Sequence, residues 1–314
     1  MIWDNLSKPF FALAPMNDVT DSVFRRVITS CAAPDIFFTE FVSVDTLQSS
    51  GKASMDNKLL FTDEEKPLVV QVWGIDPDNY EATSKELSTK GYAGIDINMG
   101  CPVAKIIKNG ACSALINNRE LAKKIIASTQ RGAGEIPVSV KTRIGYDHID
   151  LTWIEFILKQ NLAALTVHCR TVVEKSNVEN HFEVIDPIVK MRNEISPNTK
   201  LIINGDISSR SHGEKIAKQY KIDGLMLGRA IFDDPYVFSD KSKWAEMEAV
   251  DKVKLYLQHI EWFDETWQGT KNPDILKKFA KIYIVGFDGA HKIREMVMGH
   301  SDIASVKETI KSLI

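Results

Sequence analysis

Residues 94–102 read Gly94-Ile95-Asp96-Ile97-Asn98-Met99-Gly100-Cys101-Pro102. A short apolar stretch, Gly94–Asn98, runs directly into a glycine–cysteine–proline loop. A brief apolar run closed by such breakers is the signature of a strand buried on both faces. Seven segments of the same kind lie outward from it. Toward the N-terminus they are Leu68–Val72, Ile36–Phe41 and Phe10–Ala14; toward the C-terminus they are Val138–Lys141, Ala163–His168, Leu201–Asn204 and Gly224–Leu227. The intervening stretches, among them Asp76–Thr89, Arg119–Gln130, Leu151–Lys159 and Ser208–Lys218, are long enough for crossover helices. Eight β/α repeats predict an α/β fold of the TIM (β/α)8 barrel type. The rival doubly wound sheet expects G-x-G-x-x-G after the first strand, and none is present.

From about Asp240 the character changes. Asp251–Glu265, Pro273–Val285, Ala290–Gly299 and Ile303–Leu313 read as helices, with Val253, Tyr256, Leu257, Ile260 and Phe263 at helical spacing. The prediction is a catalytic barrel over residues 1–240 and a small C-terminal all-helical domain over 241–314, joined near Ser239–Trp244. The 314 residues suffice for one barrel of roughly 250 residues and such an appendage.

Composition narrows the classes. Hydrophobic residues are 44% and charged residues 26%, as in an ordinary globular protein. No apolar run approaches the length of a membrane span, and no charged segment followed by a long apolar stretch opens the chain. A cytoplasmic protein without membrane attachment is expected, most simply a monomer. Cys31, Cys101, Cys112 and Cys169 have no C-x-x-C spacing, which argues against a zinc knuckle or a redox dithiol. No H-E-x-x-H, Ser/His/Asp set or carboxylate run at ligand spacing appears, so no metal is expected. Asp18, Asp21 and Asp206 read as caps and loop braces. With 39 basic and 42 acidic residues the net charge is −3, without the basic excess common in nucleic-acid binders. A local basic face still attracts phosphate over about 10 Å.

A TIM barrel keeps its chemistry at the C-terminal strand ends. Those ends here carry Pro15-Met16-Asn17, Thr39-Glu40, Gln71, Asn98 to Pro102, Lys141 with Arg143, His168 with Arg170, Asn204-Gly205-Asp206 and Gly228-Arg229. The last two strands are where such barrels hold a phosphate. Their glycines let backbone approach it, and Arg229 adds a charge-assisted contact. Lys141, buried at a strand end, needs an anionic partner: a barrel carboxylate such as Asp96 or Glu40, or the anionic N1–C2=O edge of a reduced flavin. His168 and Gln71 offer hydrogen bonds to the same ring. Cys101 sits in the loop at the mouth rather than in the core. A thiol there can give or take a proton, its ordinary pKa being about 8.5. Cys31, Cys112 and Cys169 read as small buried hydrophobes.

These segments carry a resemblance. Ala14 to Asp21 with Phe24-Arg25, Thr39-Glu40, Val70-Gln71, Asp96 to Pro102 with Lys105, Val138 to Gly145, His168 to Thr171, Asn204 to Ile207 and Gly228-Arg229-Ala230 resemble the dihydrouridine synthases, in order and spacing across the whole barrel. A weaker similarity continues through Lys277–Arg294. The resemblance implies that NADPH reduces FMN, that the flavin passes hydride from N5 to C6 of a uracil in tRNA, and that Cys101 protonates C5 from the opposite side. It implies FMN contacts from Pro15, Met16, Asn17, Gln71, Lys141, His168, Asn204, Gly205, Asp206, Gly228 and Arg229. It assigns the uracil to Asn98, Lys141, Arg143 and Arg170, and tRNA contacts to Lys277, Lys278, Lys281 and Arg294. The chain departs from the family pattern in Cys169–Lys175, with Phe182 near an expected Trp. Cys112 replaces a small residue, and Val285 and Asp288 stand where the family tends to have Lys and Pro. A free-pyrimidine reductase of the dihydroorotate dehydrogenase type and a non-catalytic RNA binder are the rival readings.

Overall fold

The computed structural model describes residues 2–314. Nine short strands form one parallel sheet: β1 (Phe10–Leu13), β2 (Phe37–Phe38), β3 (Val42–Ser43), β4 (Leu68–Trp73), β5 (Gly94–Met99), β6 (Val138–Arg143), β7 (Ala164–His168), β8 (Lys200–Asn204) and β9 (Gly224–Leu227). Their order is β1-β9-β8-β7-β6-β5-β4-β2, with β3 also on β4. A parallel bridge between Ala12 and Ile36 brings the first and last of these strands together, so the sheet closes into the expected barrel of eight strand positions. Helices α1 (Ser22–Ala32), α2 (Pro77–Leu87), α3 (Arg119–Ala133), α4 (Leu151–Leu158), α5 (Ile185–Ile195) and α6 (Arg210–Tyr220) surround it. Side chains of Asp21, Asp76, Asn118, Asp150 and Ser209 accept from the first-turn amides of α1, α2, α3, α4 and α6.

One predicted strand is broken. Within Ile36–Phe41 only Phe37–Phe38 pair in register with β4, Ile36 bridges to Ala12 on the other side, the Thr39 amide still donates to the Val69 carbonyl at 3.0 Å, and pairing resumes at Val42–Ser43. Past the Thr39 amide, side chains take over from the ladder. Thr39 Oγ1 accepts from the Gln71 amide at 3.1 Å and donates to the Glu40 carbonyl at 2.7 Å, while Glu40 Oε1 accepts from the Asp18 amide at 2.6 Å.

Alternation along the strands divides the barrel interior into two halves. Ile95, Ile97 and Met99 of β5 belong to the cluster under the helices, whereas Asp96 and Asn98 point the other way. At the N-terminal end the interior is apolar: Phe10, Ala12, Ile36, Phe38, Val69, Ala164, Ile202 and Met226 form a separate cluster. Trp3, on the short helix Ile2–Asn5, closes that end, with ring centroids 5.9 Å from Phe10 and 6.5 Å from Phe38. Above it the inward positions turn polar, with Gln71, Asp96, Asn98, Ser139, Lys141, His168 and Asn204.

The chain ends in four helices, α7 (Ala249–Trp267), α8 (Asp274–Tyr283), α9 (Ala290–Gly299) and α10 (Ile303–Lys311). Their apolar faces share one buried cluster with the barrel helices. Phe279 of α8 stacks on Phe24 of α1 at 5.0 Å, and the buried His259 lies against both rings and bonds the Tyr283 hydroxyl at 3.1 Å. Lys271, between α7 and α8, reaches Asp21 at 2.6 Å and the buried Glu40 at 3.6 Å, tying this segment to the rim of the barrel. Among the described residues, no helix is long and apolar enough to cross a membrane.

Candidate active site

The C-terminal strand ends enclose a cavity with two lobes, of about 280 and 300 Å³. They share Pro15, Pro102, Lys141, Arg143 and His168. The first lobe runs toward the ends of β8 and β9 and is lined by Met16, Arg170, Asn204, Gly205, Asp206, Gly228 and Arg229. The second runs toward β5 and is lined by Asn17, Phe41, Asn98, Gly100, Cys101 and Val103.

The floor of the cavity is a fixed hydrogen-bond chain. Ser139 Oγ and Gln71 Nε2 donate to the two oxygens of Asp96 at 2.6 and 2.7 Å, and Asn98 Nδ2 donates to Gln71 Oε1 at 2.9 Å. The oxygen of the same Asn98 accepts from the amides of Gly100 and Cys101, both at 3.0 Å. Asn98 therefore shapes the cysteine loop. Arg143 holds that loop from the other side, donating to the carbonyls of Gly100 at 2.9 Å, Thr171 at 2.8 Å and Lys175 at 2.9 Å. Buried polar groups satisfied this fully hold one arrangement firmly.

Electrostatics follow from crowding cations around one cavity. Burial and the neighbouring Arg143 bring the Lys141 ammonium down to about 8. Burial, with Lys141, Arg143, Arg170 and Arg229 nearby, holds His168 well below the ordinary imidazole value, so it is neutral at pH 7. The Asp206 carboxylate is held low by its bond to Arg170, helped by Arg229. Two guanidiniums against one carboxylate leave a surplus positive charge in the first lobe. Cys101 is brought down to about 7: the neighbouring Cys112 thiol contributes most, and the Val103 backbone, Arg143 and Lys141 add to that against the opposing effect of burial. Burial raises Asp96 to about 6.

The two glycines of the first lobe differ: Gly205 is packed against other side chains, and Gly228 leaves its backbone uncovered. At Gly205, φ is +125°, and an added Cβ would lie 2.1 Å from Asn180 Oδ1 and 3.0 Å from His168. At Gly228 the added atom would meet only Ala14 within 4 Å, so this stretch of backbone is open toward the cavity.

Most of the residues singled out in the sequence converge here, with several differences. Neither Asp96 nor Glu40 forms an ion pair with Lys141; its Nζ donates to Asn204 Oδ1 at 3.0 Å, and Asn204 in turn donates to the Met226 carbonyl at 2.7 Å. Gln71 lies under the floor rather than on the cavity wall. Asn17 lines the second lobe and bonds Lys58. Arg170 lines the first, fixed by Asp206 and the Val178 carbonyl. Lys175 and Ser176, in the divergent stretch after β7, also line the first lobe and were not singled out. No spacing signal marks them, because the loop folds back through Arg143 and the backbone.

The basic residues of the helical segment are only partly free. Lys277 pairs with Asp274 at 2.7 Å, Lys281 lies over the Phe232 ring at 5.7 Å, and Arg294 donates to the Ile284 carbonyl at the end of α8. Lys278 is exposed.

The family model described as Dihydrouridine synthase (Dus) matches residues 12–313. The chain is 41% identical over 309 residues to a probable tRNA-dihydrouridine synthase of Staphylococcus aureus (strain COL), covering 97% of this chain and 93% of that one. It is 42% identical over 310 residues to the probable tRNA-dihydrouridine synthase 2 of Bacillus subtilis (strain 168), covering 97% and 94%. Among solved structures, morphinone reductase superposes with a TM-score of 0.54 at 10% identity, over 76% of this chain and 86% of that one, a likeness of fold alone.

Proposed function

The chain belongs to the dihydrouridine synthase family of flavin-dependent oxidoreductases, and on that premise we propose that it reduces the C5=C6 bond of a uridine in tRNA, with FMN as hydride carrier and NADPH as reductant. The observation that carries the reading is the two-lobed cavity, whose lobes meet at Lys141 and His168. Its first lobe fits FMN. The surplus charge of Arg170 and Arg229 and the open backbone at Gly228 suit a phosphate, while Pro15, Met16, Lys141, His168 and Asn204 suit the ring system. When bound, FMN supplies the hydride to C6 of the base. The second lobe takes the base. Cys101 gives its proton to C5 from the side facing away from the first lobe. A thiol near pKa 7 is well matched to donate at neutral pH.

The surrounding residues position that transfer. Asn98 and Arg143 hold the Gly100–Cys101 backbone, and the remaining amide hydrogen of Asn98 faces the base. Lys141 places positive charge where negative charge develops on the base after hydride addition. Gln71 acts through Asn98 rather than by contact. A base must leave the RNA stack to enter this lobe, at a cost of a few kcal/mol, least in a loop. In this reading residues 1–240 carry the chemistry, and 241–314 support the tRNA through Lys278 and its basic neighbours.

The test is the Cys101→Ala protein loaded with FMN. It is expected to oxidise NADPH normally and to form dihydrouridine in unmodified tRNA about 10²–10⁴-fold more slowly. Normal product would remove Cys101 from the reaction, and turnover of free orotate or uracil in place of tRNA would favour a small-molecule reductase.

A further inference from the structure

Cys112 exchanges no proton with the base in the reaction above, and ten residues lie between it and Cys101, without the C-x-x-C spacing that would mark a pair. The fold brings them together. Cys112 opens the 3-10 turn Cys112–Asn117, and the next residue, Ser113, donates to the Cys101 carbonyl at 2.7 Å. That bond fixes the turn beneath the catalytic loop and seats Cys112 beside Cys101, near enough for each thiol to shift the other's proton affinity. The two differ in access. Cys101 lines the second lobe and is partly exposed to it, whereas Cys112 is 0% exposed behind it. Lys141 and Arg143 at the same lobe favour a thiolate at Cys101, the form that oxidants attack. The remaining cysteines lie elsewhere, Cys31 beside Tyr236 and Cys169 just past β7.

We propose that Cys101 and Cys112 are a redox modification site: hydrogen peroxide entering the second lobe between turnovers converts them to a reversible disulfide that withholds the proton donor. The Cys101 thiolate attacks one peroxide oxygen. The O–O bond breaks, hydroxide leaves and is protonated to water, and the sulfur becomes a sulfenic acid. Cys112 sulfur then attacks it. The S–O bond breaks, and the departing hydroxide leaves as water with the Cys112 proton as the S–S bond forms. Two thiols lose two electrons in all, and one peroxide becomes two waters. A dithiol reductant reverses the change by exchange. A base in the lobe covers Cys101, so tRNA protects the pair. Only the expected loss of activity rests on the proposed role of Cys101 in protonation; the thiol chemistry does not.

The experiment treats the full-length, FMN-loaded protein with hydrogen peroxide, alkylates the remaining thiols in denaturant and digests with trypsin, which cuts at Lys105 and Lys108 between the two cysteines. The expected product is a Cys101–Cys112 cross-linked peptide pair, lost on treatment with dithiothreitol as dihydrouridine formation returns. In Cys112→Ser and Cys112→Ala, which keep the backbone demand at φ +52°, peroxide inactivation is expected to become irreversible relative to each variant's own untreated activity. Recovery of Cys112 as alkylated free thiol while Cys101 is oxidised would overturn the proposal. Cross-linking with product formation intact would leave the redox site standing and remove Cys101 as the proton donor.

Discussion

The two ends of one barrel interior are built from the same strands and have opposite properties. At the closed end, Phe10, Phe38, Ile202 and Met226 meet under Trp3 with no charge among them. At the open end, the next inward positions are Gln71, Asp96 and Asn98, joined by side-chain hydrogen bonds, Lys141 bonded to Asn204, and His168 beside them. The closed end stabilises the fold by burying apolar surface. The open end costs stability, because Lys141 and Asp96 sit where their charged forms are disfavoured. Stability and chemistry are thus separated by two residues on β4 (Val69 to Gln71) and β8 (Ile202 to Asn204) and by four on β7 (Ala164 to His168), and substitutions at the two ends should separate them experimentally.

The largest expected effect is at the open end. Cys101→Ala should lower dihydrouridine formation by about 10²–10⁴-fold, the usual worth of a positioned acid, with the urea midpoint unchanged. At the closed end Phe38→Ala should do the reverse, costing about 3–5 kcal/mol of stability, while the fraction that remains folded binds FMN with unchanged affinity. Loss of FMN affinity in folded Phe38→Ala protein would break the separation. Lys141→Met should weaken FMN by about 2 kcal/mol, the worth of a hydrogen bond to a charged group, without lowering the denaturation midpoint; flavin titration and urea unfolding on one sample check both.

pH sharpens the comparison. The Cys101 thiol loses its proton as pH rises through about 7. In unliganded protein its alkylation by iodoacetamide should rise through that midpoint, and protonation of the base should decline over the same interval. Cys112→Ala removes the neighbouring thiol and should move the midpoint up; an unmoved midpoint would assign the lowering to the Val103 backbone and the cations. The smallest effect is expected outside the barrel. Lys278→Glu with Lys281→Glu should weaken tRNA binding and reduce its salt slope by about 1 for each lost phosphate contact, whereas identical slopes would place tRNA on another surface.

The barrel was legible because parallel strands buried on both faces leave uninterrupted apolar runs. Seven of the eight expected strands are continuous. The exception, Ile36–Phe41, contains Thr39 and Glu40, whose side chains capture backbone groups that a ladder would otherwise use. The residues at the strand ends were legible because their position alone assigns them to the mouth. Partnership was not. Nothing in the sequence distinguishes Asn204 from Asp96 as the partner of Lys141, or assigns Gln71 to the layer beneath the cavity. Lys175 and Ser176 arrive through a loop whose path is set by three backbone acceptors of Arg143 and Arg170. Cys112 reads as a core residue until the Cys112–Asn117 turn is seen under Cys101. In the helical segment, the spacing of Lys277, Lys278 and Lys281 marks a helix, but not that Asp274 and Phe232 engage two of them.

The most direct measurement is the relative face of addition at C5 and C6. Unmodified tRNA is reduced by the FMN-loaded protein in deuterated water, with NADPH deuterated at its transferable position, and the recovered dihydrouridine is read by NMR. A base held between the first lobe and Cys101 predicts deuterium at C5 and C6 on opposite faces. Deuterium on the same face at both carbons would contradict it.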